Sequence, residues 1–221
     1  MALEFFGHPF SSYCQKVLVA LYENDTPFTF RHIHFDGSDP ATLDEFSTRW
    51  PLRRMPLLLD GGQPVVESSI IIEYLGLHHP GPVRLLPDRP EPALEARLLD
   101  RFFDNYIHTP LQKIVFDAIR QPEQRDAKGV TEARATLDTA YAWADRRLEG
   151  REWAVGEGFS LADCAAAPAL FYADWAHPIP EDLPRLRAYR ARLNAHPSFA
   201  RAIDEGRPYR QFFPLGAPDR D

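Results

Sequence analysis

The chain has 221 residues, of which 44% are hydrophobic and 26% are charged, a composition that can build one large core or two small ones. Its formal net charge of −7 and the lack of any basic run argue against a nucleic-acid partner, which needs clustered Lys and Arg. No stretch has the length of a membrane span or the pattern of a signal peptide, so we expect no membrane partner. The two cysteines, Cys14 and Cys164, are far apart in sequence and suggest no disulfide framework, so we expect a reducing, cytoplasmic location.

The first third of the chain alternates between strand and helix patterns. Alternating or apolar runs predict strands, and amphipathic runs behind a capping residue predict helices. The predicted elements in chain order are strand 2–6, helix 12–24, strand 28–34, helix 40–49, strand 56–60, strand 63–66 and helix 67–78. This order, βαβαββα, implies a mixed sheet with a parallel crossover first and a hairpin across Gly61-Gly62.

A change in pattern follows this unit. Residues 80–92 are rich in proline and glycine and predict a linker between domains. Beyond it the pattern is helical throughout, and Pro110 is expected to kink or divide the first long helix. We therefore expect one domain at 1–79 and an all-helical domain at 93–221.

Ser160 and Asp163 form a capping-box pattern at the start of a later helix. In such a box the serine and the acidic residue satisfy each other's free backbone N–H groups. We expect both to be folding residues without a catalytic role.

The segment around Pro56 and Glu67 suggests a binding site. X-Pro is the one peptide bond that readily adopts cis, and a cis Met55–Pro56 bond would turn the Met55 backbone outward, free to pair with an extended ligand. Glu67 and Ser68 place a carboxylate and a hydroxyl at a helix start, whose positive end also binds carboxylates. Together these parts can hold a small zwitterionic peptide, although each alone also fits an ordinary strand start or helix cap.

The first helix completes the pattern. Residues 11–14, Ser-Ser-Tyr-Cys, stand where thioredoxin-like proteins carry Cys-x-x-Cys, with serine in place of the first cysteine. With Arg53-Arg54-Met55-Pro56 and Glu67-Ser68 in this order, the chain resembles the serine-type cytosolic glutathione transferases, theta- and zeta-like. The resemblance implies an α/β thioredoxin-like N-terminal domain followed by an all-α domain. It also implies glutathione as co-substrate, no metal, and a homodimer.

The resemblance also implies a reaction. Glutathione thiolate would attack a hydrophobic electrophile, or would assist an isomerisation or a dehalogenation. A free thiol, with a pKa near 8.5, is only a few per cent ionised at neutral pH, so the enzyme must stabilise the thiolate. Ser11 is the predicted hydrogen-bond donor to sulfur and Ser12 is the alternative, although either could merely cap the helix.

The same resemblance assigns the glutathione site. Glu67 is expected to pair with the ammonium group, while the Ser68 hydroxyl and N–H hold the γ-glutamyl carboxylate. The Met55 backbone, set by Pro56, is expected to pair with the cysteinyl unit, and either Arg54 or its neighbour Arg53 is expected to meet the glycyl carboxylate.

The second substrate is expected against the first helix of the helical domain. Phe10, Phe103 and Tyr106 are the predicted wall, although Phe103 and Tyr106 are equally well explained as core residues at helical spacing. Asp100, Arg101 and Asp104 are candidates for the dimer interface, and an acidic residue among them could cross it to the ligand's ammonium group.

Two other functions remain open at this point. One is a non-catalytic scaffold with the same fold, which the intact serine, proline and Glu-Ser set disfavours. The other is a thiol–disulfide reductase through Cys14, disfavoured by the serine three residues earlier and by the position of Cys14 on the apolar helix face.

Overall fold

The computed structural model describes residues 3–156 and 158–221. Its one described sheet has four strands in the order β2-β1-β3-β4. The central strand β1 pairs in parallel with β2 and antiparallel with β3, which pairs antiparallel with β4. The strands are β1 Leu3–Gly7, β2 Phe28–His32, β3 Leu57–Asp60 and β4 Gln63–Val66. The predicted mixed sheet and its terminal hairpin are confirmed.

Three helices cover this sheet: α1 Ser12–Glu23, α2 Pro40–Arg49 and α3 Ser68–His78. Successive side chains of a strand point to opposite faces. Phe5 therefore joins the core beneath α1 and α3, while its neighbour Phe6 joins a smaller core with Phe46 of α2. The two-sided covering explains why β1 and β3 are apolar on both faces.

The rest of the described chain is helical, as predicted. Its elements are α4 Pro90–Phe102, a π-helical segment Phe103–His108 (the π segment), α5 Thr109–Ala118, a 3-10 turn Pro122–Gln124, α6 Ala127–Arg147, α7 Leu161–Ala176, α8 Pro184–Ala195, α9 Pro197–Gly206 and a 3-10 turn Arg207–Phe212. Every residue of α7 is buried, and this helix packs against α1 and α4. The described helices include none that is long and apolar enough to cross a bilayer.

The region around Pro110 forms a wider turn rather than a break. Proline has no N–H for the carbonyl four residues earlier. In the turn just before it, the Thr109 N–H donates to the carbonyl of Asp104, five residues back, and the Thr109 hydroxyl also donates to this carbonyl at 3.0 Å. The helical course thus continues from α4 into α5 through the π segment. The first helix of this region begins at Pro90, within the segment whose composition predicted a linker.

The predicted capping box at α7 is present. Asp163 accepts from the Ser160 N–H at 2.9 Å, and its second oxygen accepts from the Ala154 N–H at 2.9 Å and the Tyr189 hydroxyl at 2.6 Å. Asp163 is fully buried, and that burial raises the pKa of its carboxyl. It therefore joins the start of α7 to α8 and to the preceding loop, as expected of a folding residue.

Candidate active site

A cavity of about 910 Å³ (the main cavity) lies between the sheet-containing part and the helical part of the molecule. The starts of α1 and α3, the loop before β3, the π segment, α5 and the C-terminal 3-10 turn all contribute to its wall. Eight of the ten predicted catalytic, glutathione-binding and second-substrate residues line it: Phe10, Ser11, Ser12, Arg54, Met55, Pro56, Glu67 and Ser68. The fold therefore brings together motifs that are separated by up to 57 positions in the chain.

Ser11 is the N-cap of α1. Its backbone is extended, with φ −86° and ψ 122°, and its Oγ accepts from the Cys14 N–H at 3.5 Å. A hydroxyl that accepts one hydrogen bond still has its own proton to donate. Capping the helix and donating to a bound sulfur are therefore compatible roles for this residue.

Ser12, one residue later, has a partner that the sequence analysis missed. Its Oγ is hydrogen-bonded to Nε2 of His108, at the end of the π segment. His108 is buried, and burial, followed by the nearby Lys16 charge, lowers its pKa to about 3. The imidazole is therefore neutral at physiological pH. Tyr13 packs edge-on against it with 4.2 Å between ring centroids.

The loop before β3 has the predicted backbone geometry. The Met55–Pro56 bond is cis. The ladder of β3 begins only at Leu57, so the Met55 backbone lies just outside the paired part of the sheet and borders the main cavity.

Glu67 has an unusual backbone at the start of α3. Its φ of 69° lies in the left-handed region, which a non-glycine residue occupies at an energetic disadvantage. The strained residue exposes its carboxylate at the main cavity, and the buried Ser68 follows as the first residue of α3. An acid and a helix N-terminus with free N–H groups thus lie side by side, a pairing suited to an ammonium and a carboxylate on one carbon.

Two predicted second-substrate residues lie elsewhere. Phe103 is 2% exposed and packs in the core against Phe102, with 5.3 Å between ring centroids. Tyr106 is 55% exposed and also packs on Phe102. Neither side chain lines the main cavity, so the structure does not place Phe103 and Tyr106 at the predicted second-substrate wall.

The helical wall is instead made by a different face. The cavity-lining residues at four-residue spacing are Asp104, His108, Gln112 and Phe116, with Leu111 and Val115 beside them. Asp104, His108 and Gln112 repeat every four positions, but the polar residues Asn105, Thr109 and Lys113 do so as well, so this spacing gave no sequence signal that singles out the cavity face. Phe10, Tyr172 and Phe213 complete the apolar side, where the Tyr172 hydroxyl donates to the Phe10 carbonyl at 3.2 Å.

Asp100 and Asp104 are held inside the chain. Both are buried, and the buried Lys16 ammonium lies 2.6 Å from Asp100 Oδ1 and 2.8 Å from Asp104 Oδ2. Lys16 also donates to Ser69 of α3 at 2.9 Å. This cluster joins α1, α3 and α4 and holds both carboxylates in ion pairs inside the chain, although Asp104 also borders the main cavity.

Cys14 is poorly suited to redox chemistry. Its side chain is fully buried, and burial raises the pKa of the thiol to about 11. The reactive form of a cysteine is the thiolate, so a protonated, inaccessible thiol argues against the reductase hypothesis. Within residues 3–156 and 158–221, no group of three or more His, Cys, Asp and Glu side chains has an arrangement that could hold a metal ion.

Two family models match the chain. The N-terminal domain of glutathione S-transferase matches residues 5–83, and the C-terminal domain of glutathione S-transferase matches residues 96–197.

Solved and curated relatives match along nearly the whole chain. A glutathione S-transferase from Methylobacterium radiotolerans, crystallised with glutathione sulfonate, is 31% identical, covers 92% of this chain and 95% of its own, and superposes with a TM-score of 0.79. A probable maleylacetoacetate isomerase from Vibrio cholerae is 28% identical, with 94% of this chain and 98% of the relative covered. Glutathione S-transferase theta-1 of Mus musculus is 26% identical, with 88% and 83% covered.

Proposed function

This chain belongs to the glutathione S-transferase family and is a glutathione transferase, and we propose that it binds glutathione in the main cavity and activates the thiol at the start of α1. The observation that carries the proposal is the convergence of three motifs on one cavity. These are the Ser11-Ser12 helix start, the cis Met55–Pro56 bond and the Glu67-Ser68 helix start.

Each end of glutathione has a matching group. The exposed Glu67 carboxylate pairs with the γ-glutamyl ammonium, and the Ser68 hydroxyl with the N-terminal N–H groups of α3 holds the adjacent carboxylate. The Met55 backbone pairs with the cysteinyl unit. Arg54, at the rim of the same cavity, pairs with the glycyl carboxylate.

The serine region supplies the thiolate stabilisation. Lowering the thiol pKa by about two units requires roughly 2.7 kcal/mol of preference for the ionised form. A hydrogen bond to a charged acceptor contributes about 1.5–3 kcal/mol, and a helix N-terminus adds about 0.3–1 kcal/mol. The hydrogen bond from one serine hydroxyl, together with the N-terminus of α1, therefore supplies a stabilisation of the required size. We assign the role of this donor to Ser11.

The second substrate is a hydrophobic electrophile. Phe10, Leu111, Val115, Phe116 and Phe213 offer it an apolar wall opposite the glutathione groups. The thiolate would form a bond to an electrophilic carbon, with loss of a leaving group or addition across an activated double bond. Reversible addition would permit isomerisation, a second candidate reaction that the likeness to the Vibrio cholerae protein favours.

We also propose that the protein is a cytoplasmic homodimer. Ile70 and Leu77 on α3 and Leu94 and Leu98 on α4 are more than half exposed. The ion pair between Arg97 and Glu73, at 2.7 Å, joins the two helices that carry these side chains. A shared apolar surface of this kind suits a second copy of the chain. The two free cysteines support a reducing compartment.

The proposal is tested by calorimetry with glutathione and by a conjugation assay with an aryl halide. We expect saturable 1:1 binding per chain and a rate above the uncatalysed reaction. Binding without turnover across a panel of electrophiles would instead support the non-catalytic scaffold. Absence of binding would overturn the proposal. Sedimentation of the wild type and of Leu98→Glu tests the dimer, which the introduced charge should dissociate.

A further inference from the structure

Ser12 and His108 form a linked pair on the wall of the main cavity, and this pair has no part in the roles assigned above. The hydrogen bond between Ser12 Oγ and His108 Nε2 joins the start of α1 to the end of the π segment. Both residues border the main cavity, although His108 itself is only 3% exposed. The pair therefore stands beside Ser11, where the glutathione sulfur would lie.

The second ring nitrogen determines what the pair can do. His108 Nδ1 is buried and has no hydrogen-bond partner among the residues that the structure describes. A neutral imidazole carries one proton, on Nδ1 or on Nε2. With the proton on Nδ1, a buried N–H would be left unpaired and the Ser12 proton would be committed to Nε2. With the proton on Nε2, the ring donates to Ser12 Oγ, and no buried N–H is orphaned.

The Nε2–H form leaves the Ser12 proton free. A hydroxyl that accepts from a fixed donor keeps its own O–H and becomes a somewhat stronger donor, because linked hydrogen bonds polarise one another. The direction of the accepted bond also restricts where the O–H can point. His108 is itself held by burial and by the edge-on ring of Tyr13.

The pair does not have the form of a serine nucleophile and its base. In such an arrangement a third group orients the histidine, and the histidine must take up the serine proton. Here Nδ1 lacks any such group within the described chain, and the ring is strongly disposed to stay neutral. A role in orienting the hydroxyl fits both facts.

We propose that His108 is a positioning residue whose Nε2–H holds the Ser12 hydroxyl, so that Ser12 acts beside Ser11 as a second hydrogen-bond donor to the glutathione thiolate. This inference rests on the proposed function. It gives both serines at the start of α1 the role of donor to the thiolate. Ser11 Oγ accepts from the Cys14 N–H and Ser12 Oγ accepts from His108 Nε2, so each hydroxyl keeps its own proton to donate.

The main test is the pKa of bound glutathione, followed by thiolate ultraviolet absorbance in the wild type, Ser12→Ala, His108→Phe, His108→Gln and Ser12→Ala/His108→Phe. Loss of one hydrogen bond should lower the thiolate-to-thiol ratio at a fixed pH by about 3- to 10-fold. We expect that loss in Ser12→Ala and equally in His108→Phe, with no further loss in the double variant. His108→Gln, whose amide can donate from the position of Nε2, should recover most of the wild-type ratio.

The other ionisable groups that line the cavity are common to all variants and cancel in the comparison; they are His8, Tyr13, Arg53, Arg54, Glu67, Arg101 and Asp104. His78→Phe, at an exposed position on α3 outside the cavity, is the matched control and should leave the ratio unchanged. A His108→Phe value equal to that of the wild type would overturn the proposal. So would a double variant whose total fold-loss equals the product of the two single fold-losses, because the two residues would then act independently.

A second measurement needs neither glutathione nor a variant. Nitrogen-15 NMR of the His108 ring distinguishes the two neutral tautomers. We expect the proton on Nε2, and a proton on Nδ1 would refute the inference even if every variant failed to fold. A wild type that binds no glutathione would instead remove the proposed function. If the wild type lowers the pKa of the glutathione thiol and His108→Phe lowers it equally, only this inference would be removed.

Discussion

The two sides of the main cavity are built in different ways. On the sheet side, each binding group belongs to a short stretch of chain: the N-cap Ser11, the cis Met55–Pro56 bond, and Glu67 with Ser68 at the start of α3. On the helical side, Phe116 and its neighbours reach the cavity only because the π segment and α5 pack as they do. Backbone geometry thus provides polar recognition, and helix packing provides the apolar wall. The expected consequence is that changes on the sheet side affect glutathione, whereas changes on the helical side affect the second substrate.

The largest expected effect is at Ser11. Ser11→Ala should lower the rate with an aryl halide by about 10- to 100-fold at pH 6.5, because the thiolate loses a hydrogen bond to a charged acceptor. The loss should shrink at pH 9, where solvent supplies thiolate without help. A pH-rate profile of wild type and variant tests this. An equal loss at both pH values would mean that Ser11 does not act through the thiol pKa.

The next effect concerns the stability of the helical side. His108 has a folded pKa of about 3, well below the unfolded value near 6.5, so the unfolded chain binds more protons in between. Stability is therefore lost as the pH falls below 6.5, by about 2 kcal/mol at pH 5 for this one group. The His108→Phe variant has no imidazole to protonate at this position, so its free energy of unfolding should fall less between pH 7 and pH 5 than that of the wild type. Urea titrations at both values measure the difference, and parallel losses would contradict the neutral buried state.

On the sheet side, Glu67→Ala should weaken glutathione binding by about ten-fold or more, since the ammonium loses a charge-assisted contact. Calorimetry tests this, with Glu132→Ala, exposed on α6, as the matched control. An unchanged affinity would remove Glu67 from the site. The KM for the electrophile should stay near the wild-type value.

On the helical side, Phe116→Ala should raise the KM for a hydrophobic electrophile by about 3- to 10-fold, because it removes apolar surface that the substrate would cover. Glutathione affinity should be unaffected. Tyr106→Ala, on the other face of the same helical course, should leave both constants unchanged. If the KM for the electrophile rises in Tyr106→Ala and not in Phe116→Ala, the second substrate binds at the face that the sequence predicted, and the assignment of the apolar wall to Phe116 is wrong.

The smallest effect is expected at Cys14. Cys14→Ala removes a buried thiol that packs beside Gly7, so it should lower the melting temperature. The rate per folded molecule should stay within about two-fold of the wild type, as the thiol is protonated and inaccessible. Loss of turnover at unchanged glutathione affinity would revive a nucleophilic role for this residue.

The sequence by itself was sufficient for features that depend on a few consecutive residues. The mixed βαβαββα sheet followed by helices, the cis bond before Pro56 and the capping box of Ser160 and Asp163 are confirmed, because proline chemistry and helix capping act over one to four positions. The roles of the glutathione-binding residues stay predictions, although the fold brings those residues to one cavity.

Tertiary structure decided which helical face borders the cavity. The sequence predicts Phe103 and Tyr106 as wall residues because both lie on the first helix of the helical domain. Helical spacing alone does not say which side of the course through the π segment meets the cavity. The partner of Ser12 lies 96 residues away, and the Lys16 ammonium meets Asp100 of α4 and Asp104 of the π segment only in the folded chain. Such pairings depend on how distant helices pack, and local pattern carries no signal for them.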